Sequence, residues 1–297
     1  MNTFFAITRR NIKLFFKDKG MFFTSLITPV ILLVLYVTFL GDVYRDSFTM
    51  NMPDGIEISK RALDGLVGGQ LISSILSVSC VTVAFCSNFL MVNDKALGTA
   101  KDLLVSPVKP SLLALSYYIA SLASTLIICF SAAAVCLFYM AAIGFYMSLS
   151  DVLLLFLDII LLVLFGTAAS SVVNFFLSSQ GQISAVGTMV SSCYGFISGA
   201  YMPISSFGEG LQVAISFLPG TYGTALLRGH AMNGALAEME AQGLPAEVAK
   251  AMADAADINV YFFDNAVETP AMYAIICGAT ALLLLVYVLL NKLKKVK

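Results

Sequence analysis

"NDKALGTAKDLLVSPVKP", residues 93–110, separates two runs dominated by Leu, Ile, Val, Ala and Phe, at 70–92 and 113–143. A bilayer core about 30 Å thick takes roughly 20 residues of helix, and each run is at least that long. A stretch this rich in Asp, Lys, Gly and Pro cannot stay among lipid tails, where charges and unpaired backbone groups are costly. It is therefore a loop between two membrane spans, and the chain is a bundle of transmembrane helices. Composition agrees: 59% of residues are hydrophobic and 12% charged, and the mean hydropathy is +0.89, whereas a soluble domain carries roughly 25% charged residues. The same length criterion predicts six spans, at 21–41, 70–92, 113–143, 151–177, 183–202 and 270–290.

The first span is too long for a cleaved signal peptide, and no A-x-A pattern follows it, so it is expected as a retained helix. Six spans put both termini on one side. With the termini in the cytoplasm, the inner parts hold Arg9, Arg10, Lys13, Lys17, Lys19, Lys95, Lys101, Lys109, Lys292, Lys294, Lys295 and Lys297, twelve of the 17 Lys and Arg. Cytoplasmic loops show this bias. The expectation is a multi-pass protein of the cell (plasma) membrane with residues 93–110 facing the cytoplasm. Residues 203–269 carry eight carboxylates against Arg228 and Lys250 and are expected outside, a charge balance that excludes nucleic acid as a partner there.

The six cysteines, Cys80, Cys86, Cys129, Cys136, Cys193 and Cys277, all fall in apolar spans, where thiols behave as small hydrophobes. Neither a disulfide framework nor a metal site is expected. His230 is the single histidine, and no carboxylate spacing around it fits a metal centre.

Residues 1–20 read as an interfacial helix that touches membrane lipids, with Phe5, Thr8, Ile12, Phe15 and Phe16 on one arc and Arg9, Arg10, Lys13 and Lys17 on another. In the outer loop at 42–69, "LVGGQ" (66–70) differs by one letter from the signature pentapeptide of ABC-type ATPases. No G-x-x-x-x-G-K-[ST] occurs in the chain, so the match is coincidence, and the two glycines are expected to start the second span. Small residues at 131–135 and 166–171 suit close helix packing in lipid.

Asp158 lies seven residues, about two turns, inward from Asp151. A carboxylate at that depth is costly and faces the bundle interior, water or a partner. Thr188, Ser191 and Ser192 give the fifth span a partly polar face, and with Asp158 they are candidates for a translocation path. After Pro203, apolar pieces at 211–218 and 221–228 are too short to cross, so 203–228 reads as a re-entrant pair covered by protein or a wet cavity. Residues 231–268 read as a small acidic helical cap outside the membrane.

Residues 94–105 are expected as a short helix, N-capped near Asn93 or Asp94 and ended by Ser106-Pro107, with Leu97, Leu103 and Leu104 as its apolar edge. A capped helix held between two spans is a lever, because a push on it moves both.

The chain resembles the type 2 permeases of ABC transporters. Their first cytoplasmic loop reads as acidic residues, Gly-Thr, then Leu-Leu-Val-Ser/Thr-Pro, matched here by Asp94, Gly98, Thr99, Leu103, Leu104, Val105, Ser106 and Pro107. A second family pattern is matched by Ser198, Gly199, Tyr201, Pro203, Leu211, Gln212, Pro219, Thr221, Tyr222, Leu227 and Arg228. Ala96 and Lys101 stand where acids are common, and Gly208 and Gly210 replace a proline and an aromatic.

The resemblance implies an all-α integral membrane fold of six transmembrane helices, with an N-terminal amphipathic helix, a coupling helix and outer re-entrant helices before the last span. It implies an ATPase contact at Asp94, Lys95, Gly98, Thr99, Leu103 and Leu104, and a re-entrant gate at Pro203, Pro219, Tyr222 and Arg228. It further implies a dimer with a second permease copy, identical or related, powered by a pair of ABC ATPase subunits. ATP and magnesium would bind those subunits, and this chain would bind no cofactor and catalyse nothing. Few intramembrane charges and no Trp favour an apolar or amphipathic cargo, and the resemblance implies one of the drug, antimicrobial peptide, lipid or glycan classes. The alternative is a non-transporting scaffold or sensor that binds a cytoplasmic partner through residues 94–105.

Overall fold

The structure, a computed structural model, describes residues 2–50, 58–99, 103, 108–263 and 265–293. Helix α1 (Asn2–Lys17) turns Ile7, Thr8, Asn11 and Phe15 inward against the bundle and leaves Phe5 and Phe16 exposed. Asp18 caps the next helix by accepting from the Met21 amide (3.1 Å). That helix, α2 (Lys19–Leu35), passes through one π turn at Tyr36–Leu40 into α3 (Gly41–Met50). The first span therefore continues past the expected end at 41, because the π turn keeps the backbone hydrogen-bonded where a loop was expected.

Helix α4 (Lys60–Ala96) is the axis of the fold. The Ser59 hydroxyl caps it by accepting from the Ala62 amide (3.3 Å), so the span starts ten residues before the expected 70. Gly68 and Gly69 lie inside α4 rather than at its start. A Cβ on Gly69 would stand 2.6 Å from the Ala231 carbonyl oxygen, so the glycine serves close helix approach. Asp94 and Lys95, expected to open a coupling helix, are instead in the last turn of α4. Leu97 caps that end, and Gly98 takes φ +81°, a left-handed backbone suited to glycine. Residues 100–102, 104 and 105 of the expected helix at 94–105 lie outside the described residues.

Pro110 supplies the first turn of α5 (Pro110–Ile143). Reciprocal capping boxes start α6 (Leu149–Phe176), through Ser148 and Asp151, and α7 (Gln180–Ile197), through Ser179 and Gln182. After a 3-10 turn at Ile204–Ser206 come α8 (Glu209–Ser216) and α9 (Pro219–Ala241). Helix α9 runs through Arg228 without a break, so the expected boundary between re-entrant pair and cap, at 228–231, falls inside one helix. The cap comprises the end of α9, α10 (Ala246–Ala255) and a hairpin of β1 (Tyr261–Phe262) and β2 (Asn265–Ala266), which was not anticipated. Helix α11 (Thr269–Leu293) completes the described chain.

Helix α4 packs against α2, α5, α6, α7 and α9, and α11 closes over α6 and α9. Among the described residues, five helical runs are long and apolar enough to cross a membrane: Lys19–Met50, Lys60–Ala96, Pro110–Ile143, Leu149–Phe176 and Thr269–Leu293. The protein is thus a helical, multi-pass membrane protein. The expected span at 183–202 corresponds to α7, whose 18 residues include Gln180, Gln182, Ser184, Thr188, Ser191 and Ser192, and it is not among the five.

Candidate functional site

Three buried polar nodes tie the helices together. The first sits where α4 ends. Asp94 is 5% exposed and faces Arg10 of α1 and Tyr117 of α5. Arg10 donates to both of its oxygens (2.8 and 3.2 Å), and the Tyr117 hydroxyl donates at 2.5 Å. Next door, Lys95 turns the other way. Its Nζ donates to the carbonyl oxygens of Asn174 (2.8 Å), Phe175 (2.9 Å) and Leu177 (3.2 Å), which close the end of α6. A cation among terminal carbonyls opposes the negative end of the helix dipole. Leu103 packs against Ile7, Met91, Leu113 and Tyr117. Of the residues expected to touch an ATPase, Asp94, Lys95 and Leu103 are thus engaged within the bundle. Gly98 and Thr99 are half-buried, and Leu97 is the exposed apolar side chain of the turn, at 76%.

The second node is around Arg228, which is 1% exposed on α9. It pairs with Asp257 of the cap (3.2 Å) and donates to Ser74 of α4 (3.3 Å) and to the Gly199 carbonyl oxygen. Asp257 also accepts from the Ile204 amide (2.8 Å). Burial pushes the Asp257 carboxyl above the ordinary carboxylate range, while Arg228 and the Ile204 amide pull it back. Gly199 takes φ +72°, and the Tyr36 hydroxyl donates to the neighbouring Ala200 carbonyl oxygen (2.9 Å), so the turn after α7 is held from three sides. Pro219 opens α9, and the Tyr222 hydroxyl returns to the Ser216 carbonyl oxygen (2.6 Å), which fixes the α8–α9 break. Pro203 leads into the turn that Asp257 holds.

The third node is Asp158. Its carboxylate meets His230 Nδ1 of α9 at 2.6 Å and accepts from the Tyr273 hydroxyl of α11 at 2.8 Å. These partners stand 72 and 115 residues away in sequence, beyond the reach of any helical spacing rule. Thr188 and Ser192 lie exposed on α7, Ser191 is half-buried, and the Asp158 node does not join them. No group of three or more His, Cys, Asp or Glu among the described residues is arranged to hold a metal.

Sequence inspection named Arg10 and His230 without these partners, and it missed Tyr117, Tyr273, Ser74 and Asp257. The available signal was intramembrane polarity itself, since a buried charge in lipid requires a partner.

A search of the curated proteins finds no match to the chain. Residues 2–231 match the ABC-2 type transporter family, and the chain, a helical membrane subunit of an ABC transporter, belongs to that family.

Proposed function

We propose that the chain is half of an ATP-driven exporter of the cell (plasma) membrane, with both termini in the cytoplasm and α7 as a sixth span. ATP and magnesium bind a separate pair of ABC ATPase subunits, which press on the loop between α4 and α5 at Leu97, Gly98, Thr99 and Leu104. The observation that carries this reading is the continuity of α4. One unbroken helix holds Asp94 and Lys95 at one end and Ser74, bonded to Arg228, toward the other. A displacement of the loop moves α1 and α5 through Asp94 and α6 through Lys95. The same displacement reaches the Arg228 turn through Ser74.

Exposed faces on α2 (Phe23, Ile27, Ile31, Val34) and α7 (Thr188, Met189, Ser192, Cys193) support a second permease copy, identical or related, beside this one. The path then runs along Thr188, Ser191 and Ser192. Asp158 acts on it through α9, and Pro203, Pro219, Tyr222 and Arg228 form the outer gate. The cargo is apolar or amphipathic. The test is reconstitution with the ATPase subunit: Leu97→Asp is expected to abolish ligand stimulation of ATP hydrolysis while the complex still assembles. Unchanged stimulation in that variant contradicts the proposal.

A further inference from the structure

At the Arg228 end, α8 and the cap enclose a cleft of about 790 Å³, within the roughly 300–1,000 Å³ typical of small-molecule sites. Glu209, Asp254 and Asp257 line it, and among the described residues none of its lining is basic. Arg228 is bonded to the lining Asp257, to Ser74 and to Gly199, and Lys250, one turn before Asp254 on α10, is exposed. Part of the lining is aromatic: Tyr261 of β1 and Phe263, just after it, are 42% and 60% exposed. Phe263 is braced edge-on by Phe262 (4.9 Å between centroids), which meets Phe217, just after α8, at 5.1 Å. Asp254 is oriented toward this wall, accepting from Asn259 (2.7 Å) and from the Tyr261 hydroxyl (3.1 Å).

We propose that this cleft binds an amphipathic organic cation, its charge toward Glu209 and Asp254 and its apolar body on Tyr261 and Phe263. Glu209 and Asp254, unlike Asp257, form no ion pair among the described residues, so they create a field that concentrates cations, and an aromatic face adds attraction for a positive group. A bare metal ion does not fit, because the described carboxylates do not converge on a point; a larger cation spans them. The family match ends at residue 231, so the cap wall, 254–263, lies beyond it, while the α8 side of the cleft lies within it. Asp257 belongs to both the cleft and the Arg228 node, so an occupant pulls on the turn at Gly199. That the cleft opens to the outside rests on the proposed topology.

The chain has no Trp, so Phe263→Trp places a single fluorescent reporter in the cleft. The full chain in phosphatidylcholine nanodiscs, without ATPase or ATP, is titrated with tetraphenylphosphonium and with the equally shaped anion tetraphenylborate. The expected result is a saturable response to the cation only, its midpoint raised about tenfold or more by Glu209→Gln with Asp254→Asn. Equilibrium binding of radiolabelled phosphonium to the chain with its native aromatic wall repeats the comparison, should the reporter disturb that wall. Unchanged midpoints in the double variant, or an equal saturable response to the anion, overturn the proposal. Because no transport is involved, failure here leaves the exporter reading standing, and failed transport with intact binding counts against that reading alone.

Discussion

Lys95 Nζ lies 2.8 Å from the carbonyl oxygen of Asn174, so the last turn of α4 caps the end of α6. Removing this cation leaves terminal carbonyls facing the loop without their donor. Lys95→Ala is expected to lower stability by about 1 kcal/mol, seen as a fall of about 2–4 °C in the thermal midpoint of the purified chain. Lys95→Arg, which keeps the charge, should recover most of it. An unchanged midpoint in the alanine variant speaks against the cap.

Arg10 and Asp94 form the companion link. Arg10→Met strands a buried carboxylate beside Tyr117, and a loss of about 2 kcal/mol is expected. Asp94→Asn added to it removes the stranded charge, so the double variant should lose less than the sum of the singles. Strict additivity in a double-mutant cycle would deny the coupling.

Packing predictions separate two classes of glycine. A Cβ at Gly69 would stand 2.6 Å from the Ala231 carbonyl oxygen, whereas one at Gly210 or Gly278 meets nothing within 4 Å. Gly69→Ala should cost about 1–3 kcal/mol through overpacking, and Gly278→Ala should be near neutral. Comparable yields and melting of the two variants would contradict the close α4–α9 contact.

Asp257 gives a pH dependence. Its carboxyl titrates above its unfolded value because of burial, so between that raised value and about pH 3.9 the folded state holds a proton the unfolded state has lost. Stability contributed by this group therefore rises as pH falls through that window, although the ion pair with Arg228 is lost. Relative to Asp257→Asn, the unsubstituted chain should gain thermal stability on acidification. A difference that stays constant with pH contradicts the buried, titrating carboxylate.

The membrane class and the approximate positions of most spans were legible because apolar length is a local property. Helix ends were less so: a π turn carried the first span past 41, and Ser59 started the second earlier than its apolar run. The motif at 93–110 marked the right place but not its wiring. Nothing local distinguishes an Asp94 that faces a partner protein from one that faces Arg10, since the contact spans 84 residues. Likewise Asp158 announced that it needed a partner, while His230 and Tyr273 became its partners only through the packing of α6, α9 and α11.

The central claim is that α4 carries the input at the Lys95 end to the Arg228 turn. It is tested most directly by hydrogen exchange of the chain assembled with its ABC ATPase subunit in nanodiscs, with and without ATP. The account predicts that ATP alters exchange around Gly199–Ile204 and Asp257, and that Lys95→Ala abolishes this response while the complex and its basal hydrolysis persist. An outer turn indifferent to ATP, or an identical response in Lys95→Ala, would contradict it.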